Sequence, residues 1–409
     1  MKSVYILIML AGLIMMGAAG CAVASAGDLM SGISPNNAKG RPADIAFTES
    51  LADFSVELFK KSITDKDNSL ISPLSVTFAL AMTANGADNE TLVQMEKLLG
   101  NGIPIAELNE YLYSYKKGLP SLEKSKLNIA NSIWLRDDSN MQVNKGFLQT
   151  NADYYGASVY TSAFNTQTVR DINYWVKTNT DGMIDKILDE INENIVMYLI
   201  NAVMFEAEWQ TVYYKENVMK GDFTDISGVK QNVDFMYSTE SKYLDDGIAT
   251  GFIKPYANGG YSFAALLPNE GVSIDRYVET LTGKGFLNTL ENAEETTVNA
   301  CMPKFKYEYE IKMKDALITL GVYDAFDQEK ADFSNILPKG NICISEVLHK
   351  TFICVDELGT KAGAVTMVAM AGCAAPDEPK SVTLDRPFVY AIIDNATNLP
   401  VFIGVVMTI

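Results

Sequence analysis

Side chains able to do chemistry are few in this chain, and their spacing excludes most enzymatic schemes. His349 is the one histidine among 409 residues, so a Ser-His-Asp relay would have to pass through it, and no Gly-x-Ser-x-Gly elbow presents a serine. The cysteines, Cys21, Cys301, Cys343, Cys354 and Cys373, lack metal-ligand spacing and are too sparse for a disulfide scaffold; no metal or cofactor is implied. Cys301 and Cys354 stand in apolar runs and read as buried thiols acting as small hydrophobes. The informative chemistry is that of residues 355–375, VDELGTKAGAVTMVAMAGCAA, which carry no charge between Ala362 and Ala375. Exposed connections ordinarily hold charges and turn formers, whereas small and β-branched residues suit a strand flanked on both sides. Gly359 offers a backbone pivot at its start. The segment reads as a latent strand.

The elements around it are those of a globular domain. With 48% hydrophobic and 21% charged residues, the chain has ample core material. A net charge of −18 argues against a phosphate-binding surface, so nucleic acid is not an expected partner. Residues 1–20 carry Lys2, an apolar stretch and then small residues, the pattern of a secretory signal removed from the mature protein. Ala18, Ala19, Gly20 and Cys21 resemble the lipobox of bacterial lipoproteins, which makes Cys21 a candidate for lipidation and a membrane anchor. Ala18 departs from the usual leucine; a plain secreted protein with an incidental cysteine is the simpler reading. Residues 21–43, rich in Ser, Gly, Pro and Asn, read as a flexible tether, and the folded domain is expected over 44–409.

Phe47, Leu51, Phe54 and Leu58 recur at helical spacing. Ser72 before Pro73 marks a helix start, and a third helix through Leu92, Met95 and Leu99 stops at Gly100. Residues 128–135, 199–209, 251–253, 261–268, 298–306, 352–355 and 388–393 read as strands, several too apolar for a wet face. Helices first and strands later point to an α+β fold around a large sheet.

Several segments, in this order, resemble the serpins over almost all of residues 44–409: NSLISPLSV from Asn68, INYWVKTNTDGMI from Ile172, LINAVMFEAEW from Leu199, CMPKFKYE from Cys301, SEVLHKTFICVDELGTKAGAVT from Ser345 and DRPFVYAIIDNATNLPVFIGVV from Asp385. The resemblance implies an α+β serpin fold of about nine helices and three sheets, with an exposed reactive loop at about 360–380. In inhibitory serpins a protease cuts this loop, and the freed amino-terminal part enters the main sheet before the acyl-enzyme hydrolyses. From Thr360 to Cys373 an inserted strand would run about 43 Å at ~3.3 Å per residue, carrying the protease across most of a domain whose radius of gyration is about 21 Å. The resemblance thus implies an inhibitor rather than an enzyme, monomeric, whose partner is a serine protease held covalently.

Residue roles follow from the same resemblance. Glu357, Gly359 and Thr360, then Ala362, Gly363, Ala364, Val365 and Thr366, match the inhibitory hinge, with Lys361 in place of the usual glutamate. The family's spacing puts the scissile bond between Cys373 and Ala374, with Met370 and Ala371 as alternatives because the following stretch is longer than usual. Every candidate is small or medium and apolar, which favours elastase-like or subtilisin-like targets over trypsin-like ones. Cys373 has a plainer reading as an exposed thiol. Asn201, His349, Ser72 and Ser75 match positions where the sheet opens, and Lys304, Glu357 and Trp209 match a latch at its top. A buried, satisfied histidine is the plain reading of His349, and compatible with that role. Lys116, Lys117, Lys124 and Lys126 fall where some relatives bind polyanions, but in so acidic a chain they read as a solvated face. The expected location is the outer face of the cell membrane, lipid-anchored, or the medium. Two other readings stay open: a surface binding protein that keeps the fold without inhibiting, and a cross-class inhibitor of papain-like cysteine proteases.

Overall fold

Capping and apolar periodicity place the first helices. The computed structural model describes residues 26–64, 66–121, 123–137, 141–192, 194–360 and 378–409. Asp44 accepts the Phe47 amide at 2.8 Å and starts α1 (Ile45–Ser62), whose stripe of Phe47, Leu51, Phe54 and Leu58 is buried. Ser72 caps α2 (Pro73–Ala84), which has Pro73 in its first turn and every residue buried. Next come α3 (Asn89–Gly100), ended by Asn101 in the left-handed region at φ 50°, α4 (Ile105–Gly118), α5 (Lys145–Tyr155), α6 (Thr166–Asn179), α7 (Ile274–Thr280), α8 (Gly283–Glu291) and α9 (Lys314–Thr319).

The strands, in chain order, are β1 (Gly27–Asp28), β2 (Ser69–Ile71), β3 (Ser125–Arg136), β4 (Ser158–Ser162), β5 (Met197–Glu208), β6 (Val218–Thr224), β7 (Lys230–Asp245), β8 (Ala249–Pro255), β9 (Tyr261–Pro268), β10 (Glu294–Pro303), β11 (Phe305–Lys312), β12 (Glu346–Val355), β13 (Gly359–Thr360), β14 (Lys380–Thr383), β15 (Phe388–Asp394) and β16 (Pro400–Val406). One sheet has the order β1-β4-β3-β5-β13-β12-β11. Leu199, Val203, Phe205 and Ala207 of β5 pack into the main core, while Tyr198, Ile200 and Ala202 pack on the other face with Trp175 and Val176 of α6. Both faces of β5 are dry, which is why its sequence does not alternate. The other strands form one nine-stranded ladder. Within it β7 pairs on one edge with β10 over 235–243 and on the other with β6 over 230–236 and then β8 over 242–245, so the ladder divides along β7 and the three expected sheets are recovered.

Two sequence expectations need correction. Residues 298–306 are not one strand: β10 ends at Pro303, which has no amide hydrogen, and β11 begins at Phe305 in the other sheet. Lys304 between them donates its amide to Asp234 O at 2.8 Å. Nor is the chain from Ala26 to Arg41 a loose tether, because it is docked along the domain. Gly27 and Asp28 pair with Thr161 and Tyr160 of β4, and Leu29 N donates to Val159 O at 2.9 Å. Asn36 N donates to Asp153 Oδ1 at 2.7 Å, and Arg41 meets Glu107 at 2.9 Å and lies over the Tyr111 ring. Leu29, Met30 and Ile33 rest on the core. The Ser, Gly and Asn composition hid this because the segment's partners are backbone and side-chain polar groups rather than an apolar stripe.

Docking of this segment covers the free edge of β4. Deleting residues 26–41 should therefore cost about 2 kcal/mol, at ~1 kcal/mol per net hydrogen bond less the ordering entropy. That lowers the thermal midpoint by roughly 3 °C in a domain of this size; an unchanged melting curve contradicts the contribution assigned to the docked segment.

Candidate functional site

β12 runs parallel to β5 with residues 346–350 facing 198–202, and above that the two strands part. At the top β13 stands between them: Gly359 faces Glu208 and Thr360 faces Ala207 on one side, while Thr360 faces Val355 on the other. Among the described residues no strand lies between 203–206 of β5 and 351–354 of β12. The sheet thus contains a slot, closed below by five residue pairs and capped above by the first two residues of the loop.

Polar side chains fasten the closed end. His349 on β12 faces Asn201 on β5. Its Nε2 accepts the Ser72 amide at 3.1 Å, so the ring proton sits on Nδ1 and is donated to Asn201 Oδ1. Asn201 Nδ2 then donates to Ser75 Oγ and to Asn131 Oδ1, and Asn131 Nδ2 reaches Ser75 O at 3.2 Å. Ser72 Oγ donates to Val401 O at 2.8 Å, not to the imidazole. Ser72, Ser75, Asn201 and His349 are all fully buried, and the network ties β3, β5 and β12 to the head of α2. Asn131 was missed in the sequence, where it stands beside Ser132 and near Asn128 and nothing sets it apart.

The capped end is held by backbone contacts. Trp209 N donates to Leu358 O and Tyr213 N to Glu357 O, both at 2.9 Å, while the Trp209 indole reaches Asp356 O at 2.8 Å. Trp209 is stacked on Tyr256 at 4.5 Å, and Tyr256 Oη meets Thr360 Oγ1 at 2.5 Å. Lys304 Nζ lies 2.6 Å from Glu357 Oε2 and holds that carboxyl below its ordinary range. A Cβ on Gly359 would lie 2.0 Å from Ala207 O, so the close approach needs glycine. The structure brings Trp209, Lys304, Glu357, Gly359 and Thr360 together here. Ala362, Gly363, Ala364, Val365, Thr366, Met370, Ala371, Cys373, Ala374 and Cys21 lie outside the described residues.

Of the four lysines noted above, Lys124 pairs with Glu208, Lys126 with Asp181, Lys116 donates to Tyr155 O and Lys117 to Tyr113 Oη. Cys301 and Cys343 are buried, and burial pushes the Cys301 thiol up to about 11. Cys354, expected buried, is half-buried, because its strand pairs with β11 at one edge and its side chain points away from the main core.

The described residues thus combine a slotted sheet, a polar network at its closed end and a paired hinge at its open end. The family comparison agrees with that geometry: the chain matches the model described as Serpin (serine protease inhibitor) over residues 49–409, and it belongs to the serpin family. It is 28% identical to human Serpin B4 over 386 residues, covering 88% of this chain and 98% of that protein. It is 56% identical to the thermophilic serpin tengpin in its native state, with a TM-score of 0.91 over 94% of this chain and 100% of that one. Against tengpin in the latent state the TM-score is 0.81, at 55% identity over 90% of this chain and 100% of that one.

Burial without a counter-charge lowers the His349 pKa from 6.5 to about 3. The native state therefore binds fewer protons than the unfolded chain between these values, and stability rises with pH across the window. Urea midpoints should be flat above about pH 7 and fall on acidification, this histidine contributing up to ~1.4 kcal/mol per pH unit between 6.5 and 3. The variant His349→Gln should lose that component of the slope; an identical slope in the variant would assign the pH dependence to other groups.

Proposed function

We propose that this serpin is an irreversible, suicide-type inhibitor of serine proteases with small or medium apolar preference, elastase-like or subtilisin-like. One observation carries the reading: Gly359 and Thr360 are already paired in register at the mouth of the slot, and beyond Lys361 the sequence continues in an uncharged run over 362–375. The protease serine attacks the carbonyl of Cys373, the amine of Ala374 leaves with the proton, and an ester links enzyme and loop. The freed segment enters the slot, with Ala362, Ala364 and Thr366 turned toward the core. The linked protease is carried to the far end of the sheet, where displacement of its reacting groups by as little as ~1 Å costs on the order of 10²-fold in deacylation rate. The greater likeness to the native than to the latent form of tengpin supports a loop held outside.

We also place the protein at the outer face of a bacterial membrane, anchored through lipid on Cys21. Ala26 is docked on the domain through Asp171, so an anchor at Cys21 would hold the domain within about 18 Å of its lipid, at ~3.6 Å per residue. Globomycin should block processing of such a precursor; processing indifferent to it, with the protein free in the medium, contradicts the anchor.

Incubation of the mature domain with elastase and subtilisin should give an SDS-stable complex and release a peptide of 36 residues, 374–409, whose mass fixes the bond. Ala362→Arg would bury an unpaired charge on insertion, so that variant should still be cleaved while forming at least about tenfold less complex. Equal complex formation by the variant would contradict insertion as the trapping step.

A further inference from the structure

Among the described residues, Lys254–Glu240 is the ion pair with both side chains out of water, 2% and 8% exposed, with Nζ 2.8 Å from Oε1. Neither residue belongs to the network at the closed end of the slot or to the latch at its top. A buried pair of this kind is a weak source of stability, since apolar residues of similar volume generally hold a fold as well. Its surroundings show what the charge does. Lys254 Nζ lies 5.5 Å from the centre of the Trp209 ring and 4.4 Å from that of Tyr213, and burial lowers its pKa while Glu240 raises it. Glu240 Oε1 also accepts the Ser238 hydroxyl proton at 2.6 Å, which leaves Ser238 Oγ to accept from Tyr213 Oη at 3.3 Å.

Trp209 and Tyr213 are the residues that hold the carbonyls of Asp356, Glu357 and Leu358. On its other side, the segment carrying Tyr213 faces open space: Thr211, Val212, Tyr213 and Tyr214 line a cleft of about 560 Å³ that reaches Lys254 and Glu240. Trp209 is stacked on Tyr256 and set edge-on to Phe263, whereas Tyr213 lines the cleft; the ammonium lies against both rings and adds a common hold on them, because a desolvated cation attracts a ring face more strongly than an exposed one.

We propose that Lys254 is a positioning residue for the reactive-loop hinge: its cation, kept charged by Glu240, fixes Trp209 and Tyr213 and through them the carbonyls of residues 356–358. It thereby sets how readily the root of the loop leaves its native contacts. Only the consequence for trapping rests on the function proposed above; the anchoring itself is read without protease.

Amide hydrogen exchange at Trp209 and Tyr213 measures the anchoring directly. The neutral pair Lys254→Gln/Glu240→Gln and the apolar pair Lys254→Met/Glu240→Leu each remove the charge without orphaning a partner. Exchange at the two amides should quicken about tenfold in whichever pair folds, the order expected for loss of a desolvated cation–ring contact, whereas Lys254→Arg, which keeps the cation, should stay within about twofold of wild type. Spontaneous loss of trapping activity on storage should quicken in parallel. Unchanged exchange in a folded neutral or apolar pair overturns the proposal. So does failure of both pairs to fold, which would make the ion pair a requirement of the fold rather than of the hinge. Failure of the wild type to trap any protease would overturn the proposed function and leave the exchange result standing.

Discussion

Two neighbouring strands that stop touching halfway along their length set the terms for the rest of this molecule. β5 and β12 pair at residues 198–202 and 346–350, then diverge around a slot. A slot in the middle of a sheet leaves backbone groups without strand partners, and such groups are costly when withdrawn from water. On the proposed function, that free energy is recovered when the segment following Gly359 and Thr360 enters as a further strand.

Everything fastened around the slot makes that wait stable. At the closed end, entry of a strand requires the five pairs to part, and the His349–Asn201–Ser75–Asn131 network resists this because each buried polar group would lose a partner. At the open end, Trp209, Tyr213 and Lys304 hold the loop's root. The chain further from the slot contributes as well: the docked segment from Ala26 to Arg41 braces β4, α5 and α4, on the side of the sheet that must shift if β3 and β5 move away from β12. Each new ladder bond contributes about 0.5–1.5 kcal/mol, so on the proposed function insertion of some thirteen residues would outweigh these restraints once cleavage frees the loop.

Much of this was legible from the residues. α1 and α2 could be placed from the Phe47–Leu58 stripe and the Ser72–Pro73 start because caps and periodicity are local properties. β6 and β7 were not read, since KQNVDFMYSTESKYLD is mostly half-exposed and mixes charge with apolar residues. The break at Lys304 was hidden because the apolar run continues through it while the chain changes sheets. The docked amino-terminal segment escaped for the opposite reason: its composition is that of a linker, and its order comes from partners distant in sequence. For the site, Asn201 and His349 could be named from the resemblance, but Asn131 and the Lys254–Glu240 pair depend on which strand faces which, a register that one sequence does not display.

The central claim is that the intact chain is held above its lowest free energy and falls to it when the loop is cut. Thermal unfolding of the intact domain against the same domain cleaved in its reactive loop tests this most directly. With about thirteen residues inserted at ~1 kcal/mol each and ~1.3 °C per kcal/mol in a domain of this size, the cleaved form should melt roughly 15 °C or more above the intact one. Coincident melting curves, with the cut segment still open to proteolysis, would contradict the account.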